Sequence, residues 1–273
     1  MAVEPIEVVP GVWWLEETRG CNVYVVRASD GSFVIVDSAF AGASGSIAWQ
    51  ARRIAGDAPI THLLLTHEHF DHTGGAAGVR EALGVQVALG APDCEPAAAE
   101  GGWQARRSPH SGRPRGPLAR LLAPRTLPAT TFVDVPIEGR CEVAPGIEAV
   151  PVPGHTPGSM CFVLHEGSTL DAPRVAFVGD LVISHREGLS RTLVATNRDD
   201  ALYQESVRRF AEEAPEVGFA GHGYPVRSGF GASLRGLGAS QREPWSPSNV
   251  WRRGRRMAAF NQMLWRPNYP PRR

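Results

Sequence analysis

The sequence predicts a layered α/β sandwich, and three observations carry that expectation. Short runs rich in Val, Ile and aromatic residues alternate with turn residues. Each half of the chain lists its strand-like runs first and a helix-like stretch after them. His and Asp residues recur directly behind the apolar runs, where layered α/β proteins gather their active sites. With 273 residues, 42% hydrophobic and 21% charged, the chain is long enough for one large domain with ample core.

Taken in order, VWWLEE, NVYVVRA and SFVIVDS read as strands separated by Gly, Asn, Asp and Ser. SGSIAWQARRIA (44–55) follows with Ile47, Gln50–Ala51 and Ile54 at helical spacing. THLLLTH is a continuous apolar run of buried-strand length. GGAAGVREALG is then a helix stopped at Gly84, and VQVALG another short strand. Residues 95–130 are dense in Pro, Gly and Arg with little periodicity, which predicts a long insertion, a mobile loop or a lid. IEAVPVPG, SMCFVLHEG and RVAFVGD resume the strand pattern. DDALYQESVRRFAEEAP is a helix capped by Asp199 or Asp200, with Leu202–Tyr203, Val207 and Phe210 on one face. VGFAGHG is expected to end the ordered pattern. The domain is therefore set at 1–235, and 236–273 as an Arg- and Trp-rich tail.

Composition narrows the function. The formal net charge is zero, and all 28 basic residues are Arg, so the overall balance points to neither nucleic acid nor anionic membrane. Cys21, Cys94, Cys141 and Cys161 form no CxxC pair and read as reduced, buried thiols. The N-terminal stretch has no apolar core of a signal peptide, and no run approaches the roughly 20 residues of a membrane span. A cytoplasmic protein is expected, acting on a small-molecule substrate, with further copies of itself as the other candidate partner.

The chemistry is concentrated in THEHFDHTGG, which places His67, His69, Asp71 and His72 within six positions. In extended chain His67 and His69 point to one side and can grip one ion together. Asp71 and His72, at the start of the next helix, can face a second ion. Nitrogen and carboxylate donors without thiolate suit Zn²⁺, and Fe or Mn as alternatives. Downstream, His155 in VPGHTPGS, Asp180 in FVGDLV and His222 in FAGHGYP each follow an apolar run beside glycine, bringing the candidate ligands to seven.

This set resembles the metallo-β-lactamase-fold metallohydrolases, over about residues 5–230. The resemblance implies a four-layer αββα sandwich with a metal groove at one edge of two sheets. It further implies His67, His69 and His155 on one ion, Asp71, His72 and His222 on a second, and Asp180 bridging. Asp37, closing SFVIVDS, matches an acid that sits behind the ligands and orients them. Of the remaining histidines, His62 reads as structural, His110 as a solvated residue of the insertion and His165 as surface. His185 is the candidate for touching substrate.

Two divalent ions that share and activate a water imply hydrolysis, with Asp71 able to hold the nucleophile and move a proton. The expected substrate is a small carbonyl ester, thioester or lactone. Within the family, β-lactamases with Cys in place of Asp180 fit poorly, as do oxygen-reducing di-iron proteins with Glu at position 69. The glyoxalase II group shares THxHxDH and PGHTPGS, but GDLVISHREGLSR stands where that group has a glutathione-binding GGxGR-like stretch. Quorum-quenching lactonases carry Tyr at the position of Ile183. Two alternatives remain: a mononuclear-iron persulfide dioxygenase, and a phosphodiesterase or nuclease using the arginines of the insertion and tail.

Overall fold

A computed structural model describes residues 5–97, 101–106, 131–165 and 174–241. The first sheet begins as an antiparallel meander of β1 (Ile6–Val9), β2 (Val12–Trp14), β3 (Tyr24–Arg27) and β4 (Phe33–Val36). Helix α1 (Ser44–Ala55) then carries the chain to β5 (Ile60–Leu65), which lies parallel to β4. After the single turn α2 (Phe70–Thr73) and helix α3 (Ala76–Leu83), β6 (Gln86–Gly90) adds parallel to β5. Gly84 ends α3 at φ 70°, with its N–H on Arg80 O, as its position in the sequence implied.

The segment expected to be irregular, 95–130, contributes strands where its first residues are described, and a further strand lies just past it. β7 (Cys94–Pro96), β8 (Trp103–Ala105) and β9 (Phe132–Val133) form a small antiparallel sheet. Strands of two or three residues are too short to show alternation against the Pro/Gly background, which is why the pattern hid them. Residues 107–130, with His110, lie outside the described residues, as does 242–273. β10 (Val135–Ile137) closes the first sheet beside β6.

The second sheet comprises β11 (Cys141–Ala144), β12 (Ile147–Pro151), β13 (Met160–Leu164) and β14 (Val175–Gly179) in antiparallel order. A hairpin of β15 (Ile183–His185) and β16 (Gly188–Ser190) follows, then helix α4 (Asp200–Glu212). β17 (Val217–Ala220) runs parallel to β14 and completes the sheet.

Alternation along the strands builds the layers. Val25, Ile35, Leu63 and Leu65 pack with Ile47, Ala51 and Val79 of α1 and α3. The intervening Tyr24, Val26, Val34, Val36 and Leu64 face Ala149, Phe162, Phe177 and Phe219 of the second sheet. On that sheet's other side, Val150, Cys161, Val163, Ala176 and Val178 meet Tyr203, Val207 and Phe210 of α4. The result is helices, sheet, sheet, helices: the expected four-layer αββα sandwich. Burial of each inter-sheet phenylalanine contributes about 1.5–3 kcal/mol. Tyr24 ties them together, stacked on Phe219 (ring centroids 5.1 Å apart) and tilted against Phe177 at 5.4 Å.

Some details differ from the pattern reading. Order continues past VGFAGHG into helix α5 (Phe230–Ala239), which runs through position 235. Its glycines at 231, 236 and 238 lower helix propensity, and burial of Phe230 and Leu234 beneath the second sheet compensates. On α4, Asp199 is the cap, accepting from Leu202 N, but Leu202 itself is 40% exposed. The face is completed instead by Ser206 and Ala211. Three of the free thiols are buried, whereas Cys141, on the edge strand β11, is exposed. Among the described residues no helix is long and apolar enough to cross a membrane.

Candidate metal centre

The site forms where β4, β5, β12, β14 and β17 end at one edge of the sandwich. β5 delivers Thr66 and His67 straight from its buried end. His69 is extended (φ −64°, ψ 142°), and α2 then turns Asp71 and His72 back toward the strand ends. His155 comes from the loop after β12, Asp180 directly follows β14, and His222 stands two residues past β17. All seven predicted residues converge, and all but the partly exposed His69 are buried.

Distances divide the cluster in two. His69 Nδ1 lies 3.1 Å from His67 Nε2 and 3.0 Å from His155 Nε2. On the other side His72 Nε2 is 3.4 Å from His222 Nε2, and Asp71 Oδ2 is 3.4 Å from His222 Nε2 and 3.9 Å from His72 Nε2. Asp180 stands between them. Its Oδ1 lies 3.4 Å from His72 Nε2 and 3.3 Å from His222 Nε2, while Oδ2 lies 3.4 Å from His155 Nε2. His67, His69 and His155 can each offer a donor atom within 4.8 Å of one another, and so can Asp71, His72 and His222.

Protonation follows from burial and neighbours. Burial and the surrounding imidazoles hold His67 well below its ordinary range and bring His69 to about 3, so both are neutral at pH 7. Burial pushes Asp71 up, but the hydrogen bond from His222 and the charges of His72 and His222 outweigh it, leaving Asp71 at about 2. Asp180 is likewise held below the carboxylate range: burial opposes this, and His222, His72 and His155 overcome it.

The donors fit divalent cations. Seven nitrogen and carboxylate groups converge in a buried space, and Asp180 Oδ1 is buried and receives no hydrogen bond among the described residues. The backbone leaves the room open: a Cβ on Gly221 would come within 2.5 Å of His72 Cε1 and 3.0 Å of Asp180 Oδ1. Gly154, in the turn that presents His155, has φ 128° and passes so close to Tyr203 that a Cβ would lie 2.2 Å from its backbone nitrogen.

Behind these groups lies a set of orienting contacts. Asp37, at φ 60°, accepts from Thr66 N at 2.8 Å, from Thr66 Oγ1 at 2.9 and 3.0 Å, and from His72 Nδ1 at 2.8 Å. A carboxylate can only accept here, so His72 carries its proton on Nδ1 and turns Nε2 to the cluster. Thr66 Oγ1 in turn lies 3.1 Å from His67 Nδ1. Cys21 stands beside Asp37 and His72, but burial pushes its thiol to about 12 and keeps the proton on it.

Three contributors escaped the sequence reading. Asp93 is fully buried and accepts from Glu68 N (3.0 Å), Thr156 Oγ1 (2.6 Å) and Gly158 N (2.7 Å), joining the loops that carry His67–His72 and His155. Its position just past the strand VQVALG was the available signal. Asn22 holds the His222 loop by donating Nδ2 to Ala220 O and Gly223 O. Asn197 accepts from His155 Nδ1 at 2.9 Å. Neither asparagine carries a sequence signal, because each acts through a partner far away in the chain. His185 sits on the β15–β16 hairpin with Nε2 2.8 Å from Ser190 Oγ, and it joins none of the donor groups. His62 lies 3.0 Å from Thr61 Oγ1, and His165 2.9 Å from Glu148 Oε2, both away from the cluster.

Two facing sheets flanked by helices, with a His/Asp cluster at their shared edge, define an αββα sandwich with a candidate metal site. The chain belongs to the metallo-β-lactamase superfamily, whose family model matches residues 17–222. It is similar to a probable metallo-hydrolase of Bacillus subtilis, 24% identical over 220 residues, 75% of this chain and 81% of that one. It is also similar to an atrochrysone carboxyl ACP thioesterase of Passalora fulva, 26% identical over 210 residues. That match covers 77% of this chain but only 50% of the thioesterase. Its fold matches a metallo-β-lactamase from Erythrobacter litoralis, with a TM-score of 0.58 at 19% identity, covering 86% and 95% of the two chains.

Proposed function

We propose that this protein is a binuclear metal-dependent hydrolase acting on a small carbonyl ester or thioester. The observation that carries the reading is the placement of Asp180, with one carboxylate oxygen toward His72 and His222 and the other toward His155. His67, His69 and His155 would hold one ion, Asp71, His72 and His222 the other, and Asp180 would serve both. The donor set suits zinc, with iron or manganese as alternatives. Such ions, when bound, supply Lewis acidity and lower the pKa of water toward neutrality.

The residues themselves do the rest. His67 and His69 present neutral lone pairs at pH 7 and need lose no proton to bind. Ionised Asp71 can accept a hydrogen bond from an attacking water, orient it and move its proton. The thioester preference draws support from the likeness to the thioesterase of Passalora fulva. Free cysteines support a reducing, cytoplasmic setting. The phosphodiesterase alternative leans on arginines of 95–130 and 236–273; among the described residues these include Arg106, which donates to Cys94 O at 3.1 Å.

The test is a panel of acyl thioesters, aryl esters, lactones and bis-aryl phosphodiesters, assayed alongside metal analysis. Turnover of a carbonyl substrate with two ions per chain, lost by about a hundredfold or more in Asp180→Ala, is expected. Unchanged activity in Asp180→Ala would remove the two-metal mechanism. Phosphodiester turnover that falls with salt would favour the nuclease alternative. A single iron with O₂ uptake on persulfide would favour the dioxygenase.

A further inference from the structure

We propose that Asn197 is the positioning residue for His155, and that facing Asp200 this position requires a neutral carboxamide rather than a second carboxylate. The inference rests on reading His155 as a metal ligand. Asn197 lies 42 residues further along the chain and is brought against His155 by two backbone hydrogen bonds, Arg198 N to His155 O and Asp199 N to Gly154 O. Its two amide atoms face opposite chemistry. Oδ1 receives Nδ1–H of His155 at 2.9 Å and the Thr192 hydroxyl at 2.8 Å. Nδ2 donates to Asp200 Oδ1 at 2.7 Å, and Asp200 is itself held by Gln204 Nε2 at 2.9 Å.

This pattern settles the orientation of the amide. Its nitrogen meets an acceptor-only carboxylate, so its oxygen must face His155, and a carbonyl oxygen can only accept. His155 therefore carries a proton on Nδ1, which leaves Nε2, 3.0 Å from His69 Nδ1 and 3.4 Å from Asp180 Oδ2, as the atom it would offer a metal. The two imidazoles thus have unlike supports: Asp37 holds His72 with a carboxylate, and Asn197 holds His155 with a neutral amide. Aspartate cannot replace Asn197, because it would set one carboxylate within 2.7 Å of another. Exchanging the two residues, Asn197→Asp with Asp200→Asn, restores both hydrogen bonds and the total charge.

The experiment compares Asn197→Ala, Asn197→Asp and the Asn197→Asp/Asp200→Asn exchange with wild type. Histidine-selective ¹H–¹⁵N NMR on metal-free protein reads the His155 tautomer, and chelator competition reads Zn²⁺ affinity. We expect the protected Nδ1–H resonance in wild type and in the exchange variant, and its loss in both single variants. We also expect affinity for one of two ions to fall about tenfold to a hundredfold in the single variants, and to recover in the exchange. A retained Nδ1–H signal with unchanged affinity in Asn197→Ala would overturn the proposal. So would an exchange variant no better than Asn197→Asp, an arm that remains decisive if Asn197→Ala does not fold. Failure of wild type to take up zinc would count against the metal reading, while the tautomer measurement would still judge the role of Asn197.

Discussion

At the scale of single residues, the cluster stores its chemistry in depressed basicity. His69 falls to about 3 and His67 also lies low, while His72 is raised because Cys21, Asp37 and Asp180 together outweigh its burial. Unfolded histidine takes up a proton near 6.5. Over roughly pH 6.5 to 3 the unfolded chain therefore binds protons at His67 and His69 that the folded chain refuses, and His72 is charged in both states. The stability these two histidines contribute to the metal-free protein is expected to be lost as pH falls through that window, offset in part above about pH 4.5 by Glu68, whose carboxyl is raised to about 8 by burial. Urea midpoints measured across it check this, and His69→Gln should flatten the dependence. Gly221→Ala is a steric test at the same scale. Its Cβ would intrude between His72 and Asp180, so zinc affinity should drop at least about tenfold, with circular dichroism showing the fold retained.

At the scale of elements, loops are what must be held, since every candidate ligand follows a strand rather than lying in one. Asp93 does this for two of them, accepting hydrogen bonds from Glu68, Thr156 and Gly158 while fully buried. Asp93→Ala would strand those donors at roughly 1–3 kcal/mol for each one left buried and unpaired. We expect a loss of about 2–5 kcal/mol, measured by urea unfolding of metal-free protein, together with weaker metal binding. The α4 cap is a milder case: Asp199→Ala removes the acceptor for Leu202 N at an exposed helix end and should cost about 1 kcal/mol.

At the scale of the whole molecule, the edge site exists because two sheets share one core. Phe177 packs between them, against Tyr24 and Phe219. Phe177→Ala should cost about 3–5 kcal/mol through the cavity it leaves. Near- and far-ultraviolet dichroism should still follow one transition, because neither sheet can bury its inner face alone. Separate transitions for the two signals would show that the halves fold independently.

The sequence alone carried the layers and the donors. Continuous apolar runs such as FVIV and LLL in THLLLT, and helical spacing in 44–55, are local consequences of which groups must leave water, so they survive without coordinates. The seven His and Asp residues were legible because each stands directly behind such a run. The tertiary structure decided what local pattern cannot express. It settled that α5 forms despite its glycines, because the second sheet gives Phe230 and Leu234 somewhere to bury. It also settled that the described start of the central insertion forms strands. Above all, it showed which residues hold the donors in place. Asp93, Asn22 and Asn197 act through hydrogen bonds to groups 25 to 201 positions away in the chain, and only folding makes those distances short.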